Sequence, residues 1–206
     1  MAAHLHAGLF LAGRDGIIFC GTKYNGDTTY KGIDINDRGY FKAVMATGKP
    51  VLSDALRSKS TKEPTVYAVA PLKSSGGQIV GMLALALKID FLIETVSQKK
   101  IGTTGYAYMA NGNGIIVAHP KAEHVLELDL KALTGMEEIT RHMMKGDTGV
   151  ENYTFNGIDK IAAFAPVPLA GWSVAATQDS DEFMAPSRSI RNVILTVGLA
   201  FLTITI

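Results

Sequence analysis

Leu11-Ala-Gly-Arg-Asp-Gly-Ile-Ile-Phe-Cys20 and Met109-Ala-Asn-Gly-Asn-Gly-Ile-Ile-Val-Ala118 carry the same pattern. In each, an apolar run enters a polar turn, Gly-Ile-Ile follows, and a second apolar run leaves. Glycine beside Asp or Asn between short apolar runs is hairpin chemistry, because such turns need positive φ. A second correspondence lies downstream of both. Val69-Ala-Pro-Leu72 precedes the turn Ser74-Ser-Gly-Gly77 and a strand expected over Ile79–Leu87. Phe164-Ala-Pro-Val167 precedes a turn ending at Gly171 and a strand expected over Trp172–Thr177. From Gly16 to Pro71 is 55 positions and from Gly114 to Pro166 is 52, which is the spacing of two similar units in tandem.

Helical material stands between the hairpins of each unit. Over Arg38–Thr47 the residues Tyr40, Phe41, Val44 and Met45 fall on one side, and Gly48 stops the run. Met136, Ile139 and Met143 recur at helical spacing, and Gly146 stops that run. The order hairpin, helix, hairpin implies an antiparallel sheet with helices packed on it, an α+β module, in each half. A helix over Asp90–Gln98 joins them. The expected divisions are 1–90, 91–179 and 180–206.

Hydrophobic residues make up 47% of the 206 and charged residues 19%, enough apolar surface for a packed core. Net charge is +1 and the basic residues are dispersed, so the concentrated cationic face that nucleic acid demands is missing. The single cysteine, Cys20, excludes an internal disulfide, and its apolar run suggests a buried, inert thiol.

Met1–His6 shows no basic segment or cleavage site of a signal peptide. Val193–Ile206 holds fourteen residues without a charge, short of the roughly 20 a bilayer span needs. The alternatives are a transmembrane helix cut short and a C-terminal core strand; the first is preferred, since strands rarely run so long. The helix leading into this run is expected to open at Asp179, with Glu182 reaching back as in a capping box, and to kink at Pro186.

These units resemble the double Cache sensor domain. The resemblance rests on Gly32-Ile-Asp-Ile-Asn-Asp-Arg-Gly-Tyr-Phe41, Thr47-Gly-Lys-Pro50, Gly81–Leu92, Gly102-Thr-Thr-Gly-Tyr-Ala-Tyr108, Gly114–Pro120, Gly146-Asp-Thr-Gly149 and Pro166–Trp172, and covers nearly the whole chain. It implies two PAS-like modules outside the inner membrane, in the periplasm, with a small ligand in the membrane-distal one (1–90) and a membrane-proximal one (91–179). It further implies attachment to the membrane through the C-terminal helix, a homodimer, and service to a chemotaxis receptor or, less often, a histidine kinase or diguanylate cyclase. The family pattern starts with a transmembrane helix and a long helix alongside both modules; Met1 falls just before the first expected strand, so neither is expected here.

Arg38, Tyr40 and Phe41 form the candidate ligand site. A guanidinium can hold a carboxylate through two parallel charge-assisted bonds, and free amides at a helix start add donors. Tyr40 and Phe41 would supply aromatic walls. Read without the resemblance, Asp34 and Arg38 could be a surface pair and the aromatics core packing; the resemblance places a ligand motif of arginine, any residue, and two aromatics here. Tyr67 joins by strand alternation and Ser58 by the resemblance. Where relatives hold a ligand ammonium with acidic side chains, this chain has Ser58 and Ala86, and Ile33 stands where a tyrosine is expected. An ammonium buried without a carboxylate is costly, so a small organic acid such as acetate, pyruvate, lactate or a dicarboxylate is expected rather than an amino acid.

The five histidines (His4, His6, His119, His124 and His142) fit no zinc spacing, and structural roles are expected for all of them. No nucleophile motif, phosphate loop or carboxylate pair stands out, so neither catalysis nor a cofactor is expected. A ligand-free dimerising spacer stays open as a third class of function.

Overall fold

The computed structural model describes residues 6–204 apart from 24, 28 and 29. The residues form two compact units. The first runs to Thr95 and takes in Ile115–Leu128; the second comprises Val96–Gly114 and Asp129 onward.

In the first unit His6–Gly13 (β1) pairs antiparallel with Ile18–Lys23 (β2) through the expected hairpin. Gly16 sits at φ +70°, and a Cβ there would come within 2.4 Å of the Asn36 side chain, so glycine is the residue this turn accepts. Helix α1 spans Gly39–Thr47, one residue later than expected, with Arg38 extended at its N-cap. It ends on Gly48 in the left-handed conformation, whose N–H donates to Val44 O. The short strands β3 (Val51–Leu52) and β4 (Leu56–Arg57) flank β5 (Pro64–Lys73), which pairs with β6 (Ile79–Lys88). The strand order is β2-β1-β6-β5-β3. Phe10, Ile18, Tyr30, Ile35, Tyr40, Phe41, Val44, Tyr67 and Met82 are buried in one cluster between this sheet and α1.

Helix α2 covers Asp90–Gln98, the span expected from sequence. In the second unit a sheet runs β10-β11-β12-β8-β7, built from β7 (Lys100–Ile101), β8 (Gly105–Ala110), β10 (Gly149–Phe155), β11 (Ile158–Val167) and β12 (Trp172–Asp179). From β8 the chain turns at Gly114, whose N–H donates to Asn111 O, into β9 (Ile116–Ala118). Helix α3 spans Glu137–Lys145 and ends on Gly146, again left-handed. Read from the hairpin strand, the orders β1-β6-β5-β3 and β8-β12-β11-β10 are the same, so the repeat in sequence is a repeat of topology.

Two expectations are corrected here. Cys20 is exposed, because β2 is the edge strand of its sheet, and Phe19 beside it is also exposed; an apolar run was no evidence of burial there. Glu182 does not close a capping box on Asp179. Its carboxylate instead accepts from Thr103 N (2.7 Å), Thr104 N (2.9 Å) and Thr104 Oγ1 (2.6 Å), while Asp179 N donates to Thr104 Oγ1. Of the two alternatives for the C-terminal run, the preferred one holds for secondary structure: its described part is helical, within Ser180–Ile204 (α4), and not a strand. Among the described residues no helix is long and apolar enough to cross a membrane.

Candidate functional site

Between the first sheet and α1 the side chains enclose a cavity. Its apolar walls come from Phe10 and Ile18 of the hairpin, Ile33 and Ile35 before α1, Tyr40 on α1, and Tyr67 on β5. Tyr30 closes one side, and Ser58, Lys59 and Ser60, from the loop after β4, supply polar groups. Tyr40 stacks on Tyr67 with ring centroids 4.8 Å apart, and Phe10 meets both Tyr30 (5.3 Å) and Tyr67 (5.8 Å). Such ring geometries add modestly to the large apolar area the aromatics bury. The free volume left is about 10 Å³, the space of roughly one water.

The tyrosines are neutral donors at physiological pH. Burial pushes the Tyr30 phenol up to about 12 and raises those of Tyr40 and Tyr67, with a hydrogen bond to Ser58 opposing the shift at Tyr67. Ser58 Oγ also accepts from Ser60 N and Thr61 N, which holds the loop in a tight turn. Lys59 Nζ bridges from this loop to Asp37 Oδ1 (2.7 Å) and Asp34 O (2.8 Å). That contact holds the Asp37 carboxyl below its ordinary range. No acidic side chain is among the described residues lining the cavity.

The structure therefore brings Tyr40, Ser58 and Tyr67 together around one cavity. Phe41 is buried on the same helix but packs in the core cluster rather than in the cavity wall. Arg38 stands at the start of α1, and its Nη2 donates to Arg57 O at 3.1 Å; it is not one of the lining residues. Its charge still favours ionisation of Tyr40 and Tyr67, which puts it electrostatically near their phenols. Asp34, the alternative surface partner, accepts from Asn36 N instead. Ala86 is buried opposite Tyr67 on β6, and Ile33 lines the cavity in place of the missing tyrosine.

Sequence reasoning did not single out Phe10, Tyr30, Lys59 or Ser60. Phe10 was findable from the alternation Phe10, Ala12 on β1, both buried. Tyr30 had no local signal. Its ring lies against Gly8, where a Cβ would come 2.8 Å from Tyr30 Cε2, and that approach exists only in three dimensions. Among the described residues no three His, Cys, Asp or Glu side chains are grouped to hold a metal.

Residues 1–187 match the model of the Cache domain family. Among related proteins, the methyl-accepting chemotaxis protein McpB of Bacillus subtilis strain 168 is 31% identical over 179 residues, covering 85% of this chain and 24% of that protein. TlpB of the same organism, also a methyl-accepting chemotaxis protein, is 29% identical over 181 residues, 86% of this chain and 26% of the relative. The chain thus spans about a quarter of the length of the relatives it matches. Among solved structures, the extracellular domain of mmHK1S-Z3, assigned as a histidine kinase, superposes with a TM-score of 0.73 at 20% identity, over 90% of this chain and 77% of that one. The ligand-binding domain of Mlp24 with asparagine gives 0.68 at 19% identity, over 87% and 71%. At these identities the likeness speaks for the fold: two tandem modules of one architecture.

Proposed function

We propose that this chain, which belongs to the Cache domain family, is the extracytoplasmic, periplasmic ligand-sensing part of a bacterial chemoreceptor of the inner membrane. The unit built on the first sheet is the membrane-distal module and holds the ligand. The observation that carries the reading is a tyrosine-walled cavity with no carboxylate among its described walls, with Arg38 held nearby in sequence, two positions before the lining Tyr40 and bonded to Arg57 O beside the lining Ser58. Such a cavity suits a small organic carboxylate. Arg38 takes the ligand carboxylate, for which a guanidinium offers five N–H donors and only one is given to Arg57 O. Tyr40 and Tyr67 cover its carbon skeleton, and Ser58 adds a hydroxyl. Phe41 supports the wall from behind.

Some solved structures of this fold hold amino acids, asparagine in Mlp24 and L-Arg in PctB of Pseudomonas aeruginosa. An amino-acid ligand is disfavoured here because its ammonium would enter without a carboxylate partner. The site performs no catalysis and needs no cofactor. Its output leaves through α4, which continues from the last strand of the second sheet and attaches the domain to the membrane, and the receptor works as a homodimer. A histidine kinase or a diguanylate cyclase as output is the alternative, supported by the likeness to mmHK1S-Z3.

One observation favours a second reading. Tyr30, Tyr40 and Tyr67 nearly fill the cavity themselves, as they would in a ligand-free dimerisation module. Thermal unfolding of the chain against panels of organic acids and amino acids separates the two. A ligand at about 100 times its dissociation constant stabilises the native state by about 2.7 kcal/mol. An acid that raises the melting temperature of wild type and not of Arg38→Ala supports the sensor; a cooperative melt that no compound moves supports the spacer. A response to amino acids alone would overturn the preference for acids.

A further inference from the structure

Two hydroxyls in the cavity stand apart from the rest. Tyr30 Oη and Ser60 Oγ are buried, and neither has a hydrogen-bond partner among the described residues. Tyr30 is 2% exposed and among the largest fully buried side chains of the chain. Ser58 and Tyr67, by contrast, are already engaged: Ser58 Oγ accepts from two loop amides and bonds Tyr67. Buried polar groups are satisfied in the great majority of proteins, and an orphan lining a cavity asks what occupies that place when the protein works. Here the answer is constrained. Both orphans are hydroxyls, and the tyrosine stays protonated, so what they are short of is chiefly an acceptor.

Their position narrows the ligand further. Arg38 is half-buried outside the cavity wall, donating to Arg57 O next in chain to the lining Ser58, whereas Tyr30 is itself a lining residue, its ring against Gly8 of β1 and 5.3 Å from the ring of Phe10. A ligand whose carboxylate meets Arg38 therefore presents its other end to Tyr30 and Ser60. We propose that Tyr30 and Ser60 form an inner hydrogen-bonding end of the site and select a short acid with a second oxygen remote from the Arg38-bound carboxylate: a dicarboxylate, or an acid with a hydroxy or oxo group at its far end. An unsubstituted fatty acid of the same length would put a methyl group against two buried hydroxyls. A site built to bond an oxygen discriminates strongly against the analogue that lacks it, because its own polar groups are then left unpaired. This inference rests on the carboxylate reading above and adds the chemistry of the far end.

Because the free volume is about 10 Å³, the ligand enters by displacing wall side chains. One tie of the loop bearing Ser58–Ser60, the Lys59–Asp37 ion pair, lies at the surface, where such pairs are weak.

The test is calorimetric titration of the whole chain with matched acids: 3-hydroxypropionate against propionate, and succinate against butyrate, on wild type, Tyr30→Phe and Ser60→Ala. Wild type is expected to bind at least one oxygenated acid about tenfold or more tightly than its plain partner, the worth of one hydrogen bond to a buried donor. Tyr30→Phe should erase most of that preference and Ser60→Ala part of it. The ligand-free melting temperature of Tyr30→Phe should be equal to or above that of wild type, since an unsatisfied group is removed without loss of shape. Equal binding of propionate and 3-hydroxypropionate, with butyrate equal to succinate, overturns the inference while leaving the carboxylate sensor in place. An undiminished preference in Tyr30→Phe, or a lowered ligand-free melting temperature, does the same. Failure of every acid to bind wild type overturns the sensor reading itself, and this inference with it.

Discussion

Tyr40 is both wall and core, and removing it separates the two roles. The residue is 5% exposed, and its ring stacks on Tyr67 at 4.8 Å with an interplanar angle of 28°. Replacing a buried aromatic by alanine costs about 3–5 kcal/mol, combining lost transfer energy with the cavity left behind. The stacked pair accounts for about 0.5–1.5 kcal/mol of that. Against a total stability of about 5–15 kcal/mol, Tyr40→Ala should lower the urea midpoint severely. Tyr40→Phe keeps the ring and should stay within about 1.5 kcal/mol of wild type. The opened space should remain apolar and accept a ring of the deleted shape, so p-cresol should stabilise Tyr40→Ala and leave Tyr40→Phe unmoved. Urea titration followed by far-ultraviolet circular dichroism, with and without p-cresol, reads all three. A cost below about 1 kcal/mol for Tyr40→Ala would refute the packing of α1 on the sheet, because a 5%-exposed stacked ring cannot be deleted that cheaply.

The start of α4 is tied to the β7–β8 turn by Glu182, and its bonds to Thr103 and Thr104 draw the carboxyl down to about 2. A carboxylate with a depressed folded pKa stabilises above its unfolded value, near 4.5, and loses that contribution as pH falls toward 2. The melting temperature of wild type should therefore exceed that of Glu182→Gln at pH 6, and the two curves should converge between pH 4.5 and 2; a constant gap across that window contradicts the contact. Lys160, with a side chain 6% exposed, is paired with Asp179. Asp179→Ala strands a buried ammonium and should cost about 3–5 kcal/mol, whereas Lys160→Met, which removes the charge and keeps the stem, should cost far less; equal losses by urea denaturation would argue against the pair. Cys20 should react with Ellman's reagent in the native protein, since it is exposed on an edge strand, and a requirement for denaturant would show it to be covered.

What was legible in the sequence follows from which interactions are local. The tandem repeat was readable because glycine turns impose their own chemistry, and Gly16, Gly48, Gly114 and Gly146 all adopt positive φ. Helix α2 was readable to the residue. Tyr67 was placed by the alternation of a half-buried strand, and it does line the cavity with Tyr40 and Ser58. Local pattern failed where a partner lies far along the chain. Glu182 answers to Thr103 and Thr104, 79 and 78 positions away, and a capping rule sees only the neighbouring turn. Cys20 was misjudged because an apolar run says nothing of whether its strand is central or at the edge. Tyr30 was invisible because it lies in a turn, and the space it occupies is made by Gly8 and Phe10 of β1. The direction of the Arg38 side chain, toward Arg57 O, is likewise a tertiary fact.

The seven tyrosines offer the most direct test of the central claim, that a small acid binds inside the first unit. With ¹³C-labelled tyrosine rings, a titration with pyruvate, lactate and succinate can be followed by NMR residue by residue. The account predicts that the largest shifts fall on Tyr30, Tyr40 and Tyr67, which wall the cavity, and not on Tyr106, Tyr108 and Tyr153 of the second sheet's unit. Saturable shifts confined to the second unit, or no shift at all with any acid, would contradict it.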